Sequence, residues 1–558
     1  MNIIFRFRKR IFVLIKVLFV LIVFKEFVIA DDVVGKNGMV ASAHPLASKA
    51  GLQILEAGGN AIDAAVATAF TLAVVEPNSS GLGGGGFMMV RTKNKEKTVM
   101  IDYRETAPKN VTDKLYYKND KSFHHLTHFG PNSIGVPGAV AGLCLALEKY
   151  GTMNISQVTE IARKYANEGY EVSEKFESMI TNAYELISMN EATAKIYLKD
   201  DFPPVAGAII KNPDLAKTFK KLAKNGPEYF YSGEIAKSIV SQVNEKNGLL
   251  SLEDFKQYKA LEKEPVKGTY RGYQIVSTAP PSGGGTHLIE LLNILENYDI
   301  KKMKHNSAEY IHILAEIMKI VYADKAANMA DPDYYSVPVK KITNKSYAKK
   351  LMEKISFNEA SFDYQAPNWV AKESQSTTHL SVVDNDGNIV SLTQTINHWF
   401  GSGITVEETG IILNNQLADF SGKAKCPNSI KGGKRPVSSM APTILFKDGK
   451  PFLTVGTPGG SRIIGALAQI IINIIDFEMG IDDAIEAPRI HAYNKTLHVE
   501  GRIENDVIEK LKMKGHKIKV LKDFDNYFGG AQGILINNDK KLFFGGADSR
   551  RDGVVEKY

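Results

Sequence analysis

The spacing of apolar residues predicts most of the elements. From 47 to 57 they recur with helical period, and Gly58-Gly59-Asn60 closes that segment with a C-cap signal. Residues 62–75 are almost wholly apolar and rich in alanine, which at that length predicts a buried helix. Gly81-Leu82-Gly83-Gly84-Gly85-Gly86 then leads into Phe87-Met88-Met89-Val90. Strands are predicted at 99–103 and 273–277, and helices over 139–149, 287 to about 298, and 308–329. Residues from about 155 to 260 have a helical, lysine-rich pattern and carry no legible chemistry, while 355–376 are polar and weakly patterned and predict an exposed connection.

Period-two alternation is clearest around Asp386-Gly387. Leu380 and Val382 alternate with polar neighbours before it, and Val390 and Leu392 do so after it. Asp-Gly between such runs is a hairpin signal, because tight hairpin turns need residues that tolerate positive φ. A turn centred on Asp386 sets Thr377 opposite Thr395, which brings the two residues within roughly 5 to 8 Å at Cβ. The stretch alone reads as an ordinary threonine-rich hairpin. The sharper reading is a threonine nucleophile with a second hydroxyl beside it.

Beyond the hairpin, 410–416 predicts a strand, with Asp419 three positions past Gln416. Strands follow at 443–446 and 452–455. The second ends in Gly456-Thr457-Pro458-Gly459-Gly460-Ser461-Arg462, and an apolar helix continues to about 475. Amides at a glycine-rich strand-to-helix turn suit an anion or an oxyanion. The earlier run at 81–86 does not fit a nucleotide loop: its glycines follow a helix and enter a strand, the reverse of the dinucleotide fingerprint, and no Walker lysine accompanies them. Close backbone packing explains it better. Arg104, just past a strand, is in an ordinary surface position that also suits a bidentate carboxylate clamp. Helices and strands first, then a strand-rich stretch after Thr377, fit two sheets covered by helices.

Composition changes this picture little. With 44% hydrophobic and 23% charged residues the chain has a globular balance, and its net charge of +7 is spread too evenly for a nucleic-acid footprint. The N-terminus adds more. Arg6, Arg8, Lys9 and Arg10 precede an apolar run broken by Lys16, and Val28 and Ala30 offer a small-residue cleavage pattern. Residues 1–30 therefore read as a secretory signal, directing the chain to the periplasm or medium, or as an N-terminal anchor if uncleaved. Two cysteines, Cys144 and Cys426, exclude a disulfide framework and a cysteine-based zinc site; a single bridge between them stays open.

The motifs are more specific together. Asp102-Tyr103-Arg104-Glu105-Thr106-Ala107-Pro108, Pro280-Pro281-Ser282-Gly283-Gly284, Thr377-Thr378-His379, Leu413-Asn414-Asn415-Gln416, Arg435-Pro436-Val437-Ser438-Ser439-Met440 and Thr457-Pro458-Gly459-Gly460-Ser461-Arg462 occur in the order and spacing of the γ-glutamyltranspeptidases. The chain resembles that family of N-terminal-nucleophile hydrolases from about residue 38 to the end. The resemblance implies an α/β layered fold, an αββα sandwich of two stacked, mostly antiparallel sheets. It implies self-cleavage at Ser376–Thr377 into pieces 31–376 and 377–558 that share one intertwined domain. It implies Thr377 as nucleophile, Thr395 as its partner, and the amides of Gly459 and Gly460 as the oxyanion hole. Arg104, Ser438 and Ser439 would hold the substrate carboxylate, and Gln416, Asp419 and Asn397 its ammonium. No metal or organic cofactor is implied. The implied partners are glutathione and related γ-glutamyl compounds, amino-acid or dipeptide acceptors, and the two pieces themselves. Residues 420–434 are shorter than the family's lid and lack its tyrosine, which predicts a more open pocket. Rival readings are another amidase on this scaffold, a γ-polyglutamate hydrolase or β-lactam acylase, and a non-catalytic exported binding protein.

Overall fold

The hairpin forms in the register its pattern predicts. In the computed structural model, which describes residues 32–93, 97–364 and 376–558, Thr378 faces Gln394, His379 faces Thr393 and Leu380 faces Leu392. Gly387 takes the positive φ, +83°, that the turn requires. The expected signal segment and part of the connection before Thr377 lie outside the described residues.

Fourteen strands build two seven-stranded sheets. In chain order they are β1 (Val33–Gly35), β2 (Gly38–Ser42), β3 (Gly85–Arg91), β4 (Thr98–Asp102), β5 (Leu261–Lys263), β6 (Val266–Tyr270), β7 (Tyr273–Ser277), β8 (Thr378–Asp384), β9 (Ile389–Thr395), β10 (Thr443–Lys447), β11 (Lys450–Gly456), β12 (Gln532–Asn537), β13 (Leu542–Ala547) and β14 (Val554–Lys557). One sheet runs β14-β2-β8-β9-β3-β4-β5 and the other β1-β13-β12-β11-β10-β7-β6, with antiparallel pairing throughout. The β8–β9 hairpin sits at the centre of the first sheet, between β2 and β3. Strands from before and after Thr377 thus interleave in both sheets.

Alternation decides what each face buries. Leu380, Val382, Val390 and Leu392 join Val40, Met88, Val90 and Ile101 in a core with helices α1 (Pro45–Glu56) and α2 (Ala61–Val75). The opposite face, with Met39, Ala41, Phe87 and Met89, packs on the second sheet, whose far side carries α3 (Gly284–Leu295), α4 (Ala308–Asn328) and α5 (Ile463–Ile475). The result is the αββα sandwich. Every residue of α2 is buried, as its almost wholly apolar composition demands. The glycine run before β3 serves close packing: a methyl on Gly83 would lie 2.1 Å from the Ile412 carbonyl oxygen, and one on Gly84 equally close to that of Thr395.

Between the sheets the hairpin's inner face is polar. His379 Nδ1 is 2.8 Å from Thr393 Oγ1 and Nε2 is 3.2 Å from Ser381 Oγ. Burial pushes His379 down to about 3, so its imidazole is neutral. Its ring presses on the last residue of β11: a methyl on Gly456 would sit 2.3 Å from His379 Cε1. Gly456→Ala is therefore expected to destabilise the protein by ~1–3 kcal/mol through overpacking. A lower denaturant midpoint would register it; an unchanged midpoint would mean the ring has room to swing aside.

Three local expectations need correction. The strand expected at 410–416 is only Ile411–Ile412, and Gln416–Asp419 form a 3-10 turn. Helix α3 starts at Gly284 rather than His287, its first turn built on glycines where a methyl would fall within 3 Å of the Met440, Ser439 or Thr278 backbone. Ser376, expected in an exposed connection, is fully buried, its hydroxyl donating to the Asn78 carbonyl at 3.1 Å. Cys144 and Cys426 are both free thiols. Among the described residues no helix is long and apolar enough to cross a membrane.

Candidate active site

Thr377 immediately precedes β8, at the end of the sandwich where the glycine-rich turns gather. Its hydroxyl donates to Thr395 Oγ1 at 3.2 Å, and the same oxygen accepts the Asn397 amide at 2.8 Å. Thr377 has φ +141°, a region that costs a non-glycine residue ~1–3 kcal/mol, so strain sits on the residue at the expected cleavage point. Its carbonyl is gripped by Arg551 Nη1 at 2.6 Å, and Arg551 is held in turn by Glu76 Oε1 at 3.1 Å. Burial pushes Glu76 up to about 7, with the Arg551 charge pulling against that shift.

Arg104 is fixed at the end of β4. Its Nε donates to the Pro436 carbonyl at 3.2 Å and its Nη2 to the Val437 carbonyl at 2.8 Å. Its own carbonyl accepts from the Tyr258 hydroxyl at 2.9 Å and from Arg435. Nη2 also meets Asp419 Oδ2 at 2.5 Å, so the expected carboxylate clamp and ammonium acceptor are paired with each other. Neighbouring Glu105 is pushed up to about 8 by burial, with the Arg104 charge pulling against that shift. The 3-10 turn is what brings Gln416 and Asp419 together, since positions i and i+3 eclipse in that helix. Gln416 Nε2 donates to Asp419 Oδ2 at 2.7 Å, and Gln416 Oε1 is buried with no hydrogen-bond partner among the described residues.

Gly459 and Gly460 have φ of +134° and +56°, conformations that favour glycine, and the turn feeds directly into α5. Ser438 Oγ accepts the Met440 amide at 3.1 Å and its carbonyl accepts the Gly283 amide at 2.8 Å, which ties the two serine-bearing motifs together. Arg104, Asn397, Asp419, Ser438 and Ser439 converge with Thr377, Thr395 and Gly460 on a cavity of about 20 Å³. That is room for about one water, not for an amino-acid head. Gln416 stands behind Asp419, and Gly459 is one residue removed from the lining. Ser376 borders a separate, larger cleft.

The open pocket expected from the short 420–434 segment is not seen: Thr377 and Thr395 are each 4% exposed. The segment packs down instead. Asn428 donates to the Asp419 carbonyl at 2.7 Å and accepts the Val437 amide at 3.2 Å, bracketing two of the partners of Arg104. Sequence reasoning missed Glu76, Arg551 and Tyr258, and quoted Arg435 only as part of a motif without a role. Glu76 had a signal: an acid closing an almost wholly apolar, buried helix needs a buried partner. Nothing local pointed to Arg551.

An αββα sandwich with a threonine at the head of a central strand is the architecture of the N-terminal-nucleophile hydrolases. Within that class, the chain belongs to the γ-glutamyltranspeptidase family, whose sequence model matches residues 47–558. It is 42% identical over 533 residues to the glutathione hydrolase proenzyme of Escherichia coli, covering 92% of this chain and 90% of that protein. The cephalosporin acylase structure from Bacillus halodurans superposes with a TM-score of 0.86 at 30% identity, covering 95% of this chain and 97% of that one. One chain of the γ-glutamyltranspeptidase structure from Helicobacter pylori, 40% identical, covers 57% of this chain and 92% of its own length, with a TM-score of 0.55.

Proposed function

We propose that this protein is a γ-glutamyltransferase and glutathione hydrolase, made as one exported chain and matured by cleaving its own Ser376–Thr377 bond. The observation that carries the reading is the Thr377–Thr395 hydroxyl pair at 3.2 Å on the residue whose amine the cleavage frees. In maturation the Thr377 oxygen attacks the Ser376 carbonyl carbon and the C–N bond breaks, leaving an ester and a free amine; water then hydrolyses the ester. The new α-amine has a pKa near ~8 and serves as base for the hydroxyl beside it. In turnover Thr377 Oγ1 takes the γ-glutamyl carbonyl carbon, the amine of the departing peptide receives the proton, and water or a second amine releases the acyl group. Amides of Gly459 and Gly460 meet the developing oxyanion. Residues 1–30 act as the export signal.

Substrate choice rests on the Arg104–Asp419 pair. A zwitterionic glutamate head exchanges one internal ion pair for two: its carboxylate to Arg104 and the two serines, its ammonium to Asp419. The 20 Å³ cavity is then the closed state of the uncut chain, and the site opens once Ser376 is released. The likeness to an acylase keeps a second reading in view, but a glutaryl group lacks the ammonium and would leave Asp419 without that partner. Release from glutathione, a γ-glutamyl anilide, a glutaryl lactam and a γ-linked glutamate polymer separates these readings. Glutathione and the anilide are expected to turn over fastest; inertness on both, in a protein whose smaller band starts at Thr377, overturns the proposal.

Arg551 contributes to maturation by holding the Thr377 carbonyl, which fixes the strained peptide for attack. Arg551→Ala is expected to slow cleavage at least ~10-fold, since a charged hydrogen bond in a buried site is worth ~1.5–3 kcal/mol. A time course of band conversion after synthesis checks this, and a wild-type rate would reduce Arg551 to a packing role.

A further inference from the structure

Away from the catalytic end, three buried side chains meet at the N-terminal half of α4: His312 and Glu316 from that helix, and His516 from the part of the chain after Thr377. One atom from each, two imidazole nitrogens and a carboxylate oxygen, lies within 4.8 Å of the others, and this is the one such cluster among the described residues. None of the three lines the catalytic cavity or the cleft beside Ser376. We propose that they form a binding site for one zinc-class divalent ion, and that this ion ties the two pieces of the mature protein together. The ion site stands without the transferase reading; the bridging of two pieces rests on the cleavage at Ser376–Thr377.

Local structure aims each group. His312 and Glu316 stand four residues apart, which puts both on one face of α4. His516 closes a helix C-terminus. After the helix Asn505–Met513, the Gly515 amide bonds the Lys512 carbonyl at 2.9 Å and the His516 amide bonds the Leu511 carbonyl at 3.2 Å, the paired bonds of a Schellman cap. That fixes the His516 backbone, and its Nε2 sits 2.8 Å from His312 Nδ1. His312 Nε2 lies 2.8 Å from the Ser356 carbonyl oxygen, which can only accept. Nε2 therefore carries the His312 proton, and Nδ1 turns a lone pair towards His516. Without metal, a proton on His516 Nε2 fills the gap. With metal, His516 carries its proton on Nδ1 instead, and both lone pairs face one ion. Widening the gap by ~0.5 Å accommodates two Zn–N bonds of ~2.0–2.1 Å.

Glu316 completes the set. Its Oε2 accepts the Ser361 amide at 3.1 Å and its Oε1 meets Lys319 Nζ at 2.5 Å. An ionised carboxylate offers about four acceptor sites, so an ion still finds a lone pair there. The Ser356 carbonyl and the Ser361 amide orient the ligands from behind, as supporting hydrogen bonds do at metal sites. Lys319 works against a dication, although its Nζ is also held by the Ser361 carbonyl at 2.6 Å. Its charge sets the expected affinity below that of a structural site with four protein ligands. Two imidazoles and a carboxylate select zinc and its neighbours over calcium and magnesium, which take oxygen ligands. His312, Glu316, Ser356 and Ser361 all precede Thr377 and His516 follows it, so an ion held here joins one piece to the other.

The test strips the purified protein with a chelator, titrates it with zinc sulfate and counts bound metal after gel filtration. Wild type is expected to hold one zinc at this site, and its thermal midpoint to rise with zinc and to stay where it is with calcium or magnesium. His516→Gln keeps a side-chain N–H for His312 Nδ1 but gives up the ligand nitrogen. It is expected to weaken zinc binding beyond the ~10–100-fold that loss of a supporting contact costs, and to lose the zinc-dependent rise. Glu316→Gln, which keeps an oxygen for the Ser361 amide and gives up the charge, is expected to fall the same way and carries the comparison should His516→Gln fail to fold. A wild type that binds no zinc, or variants that bind it as wild type does, overturn the site. Uncut Thr377→Ala is expected to bind zinc like wild type, so a chain that fails to cut itself still tests the site and its failure is a separate result. In the cut protein, zinc is expected to keep both bands in one gel-filtration peak at denaturant concentrations that separate them in the stripped protein; pieces that part alike with and without zinc overturn the bridge.

Discussion

Thr377→Ala is expected to leave the chain uncut and inactive: one band near 61.5 kDa less any removed leader, and γ-glutamyl release at background, at least ~10⁴-fold below wild type. Two separate functions fail at once. The alanine chain has no oxygen to attack the Ser376 carbonyl, so the small piece never forms. Without an oxygen nucleophile there is also no ester intermediate in turnover. Thr377→Ser separates geometry from chemistry, because it keeps the oxygen and loses only the methyl. It is expected to mature slowly and to retain measurable activity. Thr395→Ala is milder again, since it removes the acceptor at 3.2 Å and leaves the nucleophile in place. The mature enzyme should also gain kcat/KM as pH rises towards ~8, where the terminal amine loses its proton. Gel analysis and N-terminal sequencing check the series. A band beginning at residue 377 in Thr377→Ala would mean that another protease makes the cut, and the self-cleavage mechanism would fall.

Which parts of this site are readable in sequence follows from how local they are. The hairpin register is set by a turn and two alternating strands within about 20 residues, and it forms as the pattern requires. The glycine-rich turn after β11 is also local, and few residues other than glycine could adopt its two positive-φ conformations. Gln416–Asp419 was harder: Ile411-Ile412-Leu413 looks like the start of a longer strand, but Asn414 and Asn415 spend their side chains on distant backbone. Asn414 Nδ2 bonds the Gly83 and Gly135 carbonyls at 2.7 and 2.8 Å, which ends the strand and starts the tight turn. Arg551 was illegible. It lies 174 residues from Thr377 and 475 from Glu76 in the chain, so their meeting depends on the whole sandwich closing and on no local pattern. The pairing of Arg104 with Asp419 lies between these cases. Both residues stood out through motif resemblance, yet nothing in the spacing said that they touch.

That contact makes Asp419 the second large-effect position. Asp419→Asn keeps the shape and the hydrogen-bonding capacity towards Gln416 but removes the negative charge 2.5 Å from Arg104 Nη2. Breaking one side of a buried ion pair typically costs ~3–5 kcal/mol. Part of that cost is moderated here because Arg104 keeps the Pro436 and Val437 carbonyls at 3.2 and 2.8 Å. Folding should therefore survive while recognition does not. The expected result is a kcat/KM on γ-glutamyl anilide lowered by ~10²–10³-fold, mostly through KM, because the ammonium contact forms in the ground state as well as the transition state. The decisive comparison is with glutaryl anilide, which has the same acyl chain and no ammonium. Wild type should prefer the γ-glutamyl compound strongly, and Asp419→Asn should lose most of that preference, since the amide no longer compensates a buried positive charge. If the variant falls equally on both substrates, Asp419 serves only to hold Arg104 in place. The ammonium must then be read by another group, and the glutamate-head assignment of this pocket gives way to the acylase reading.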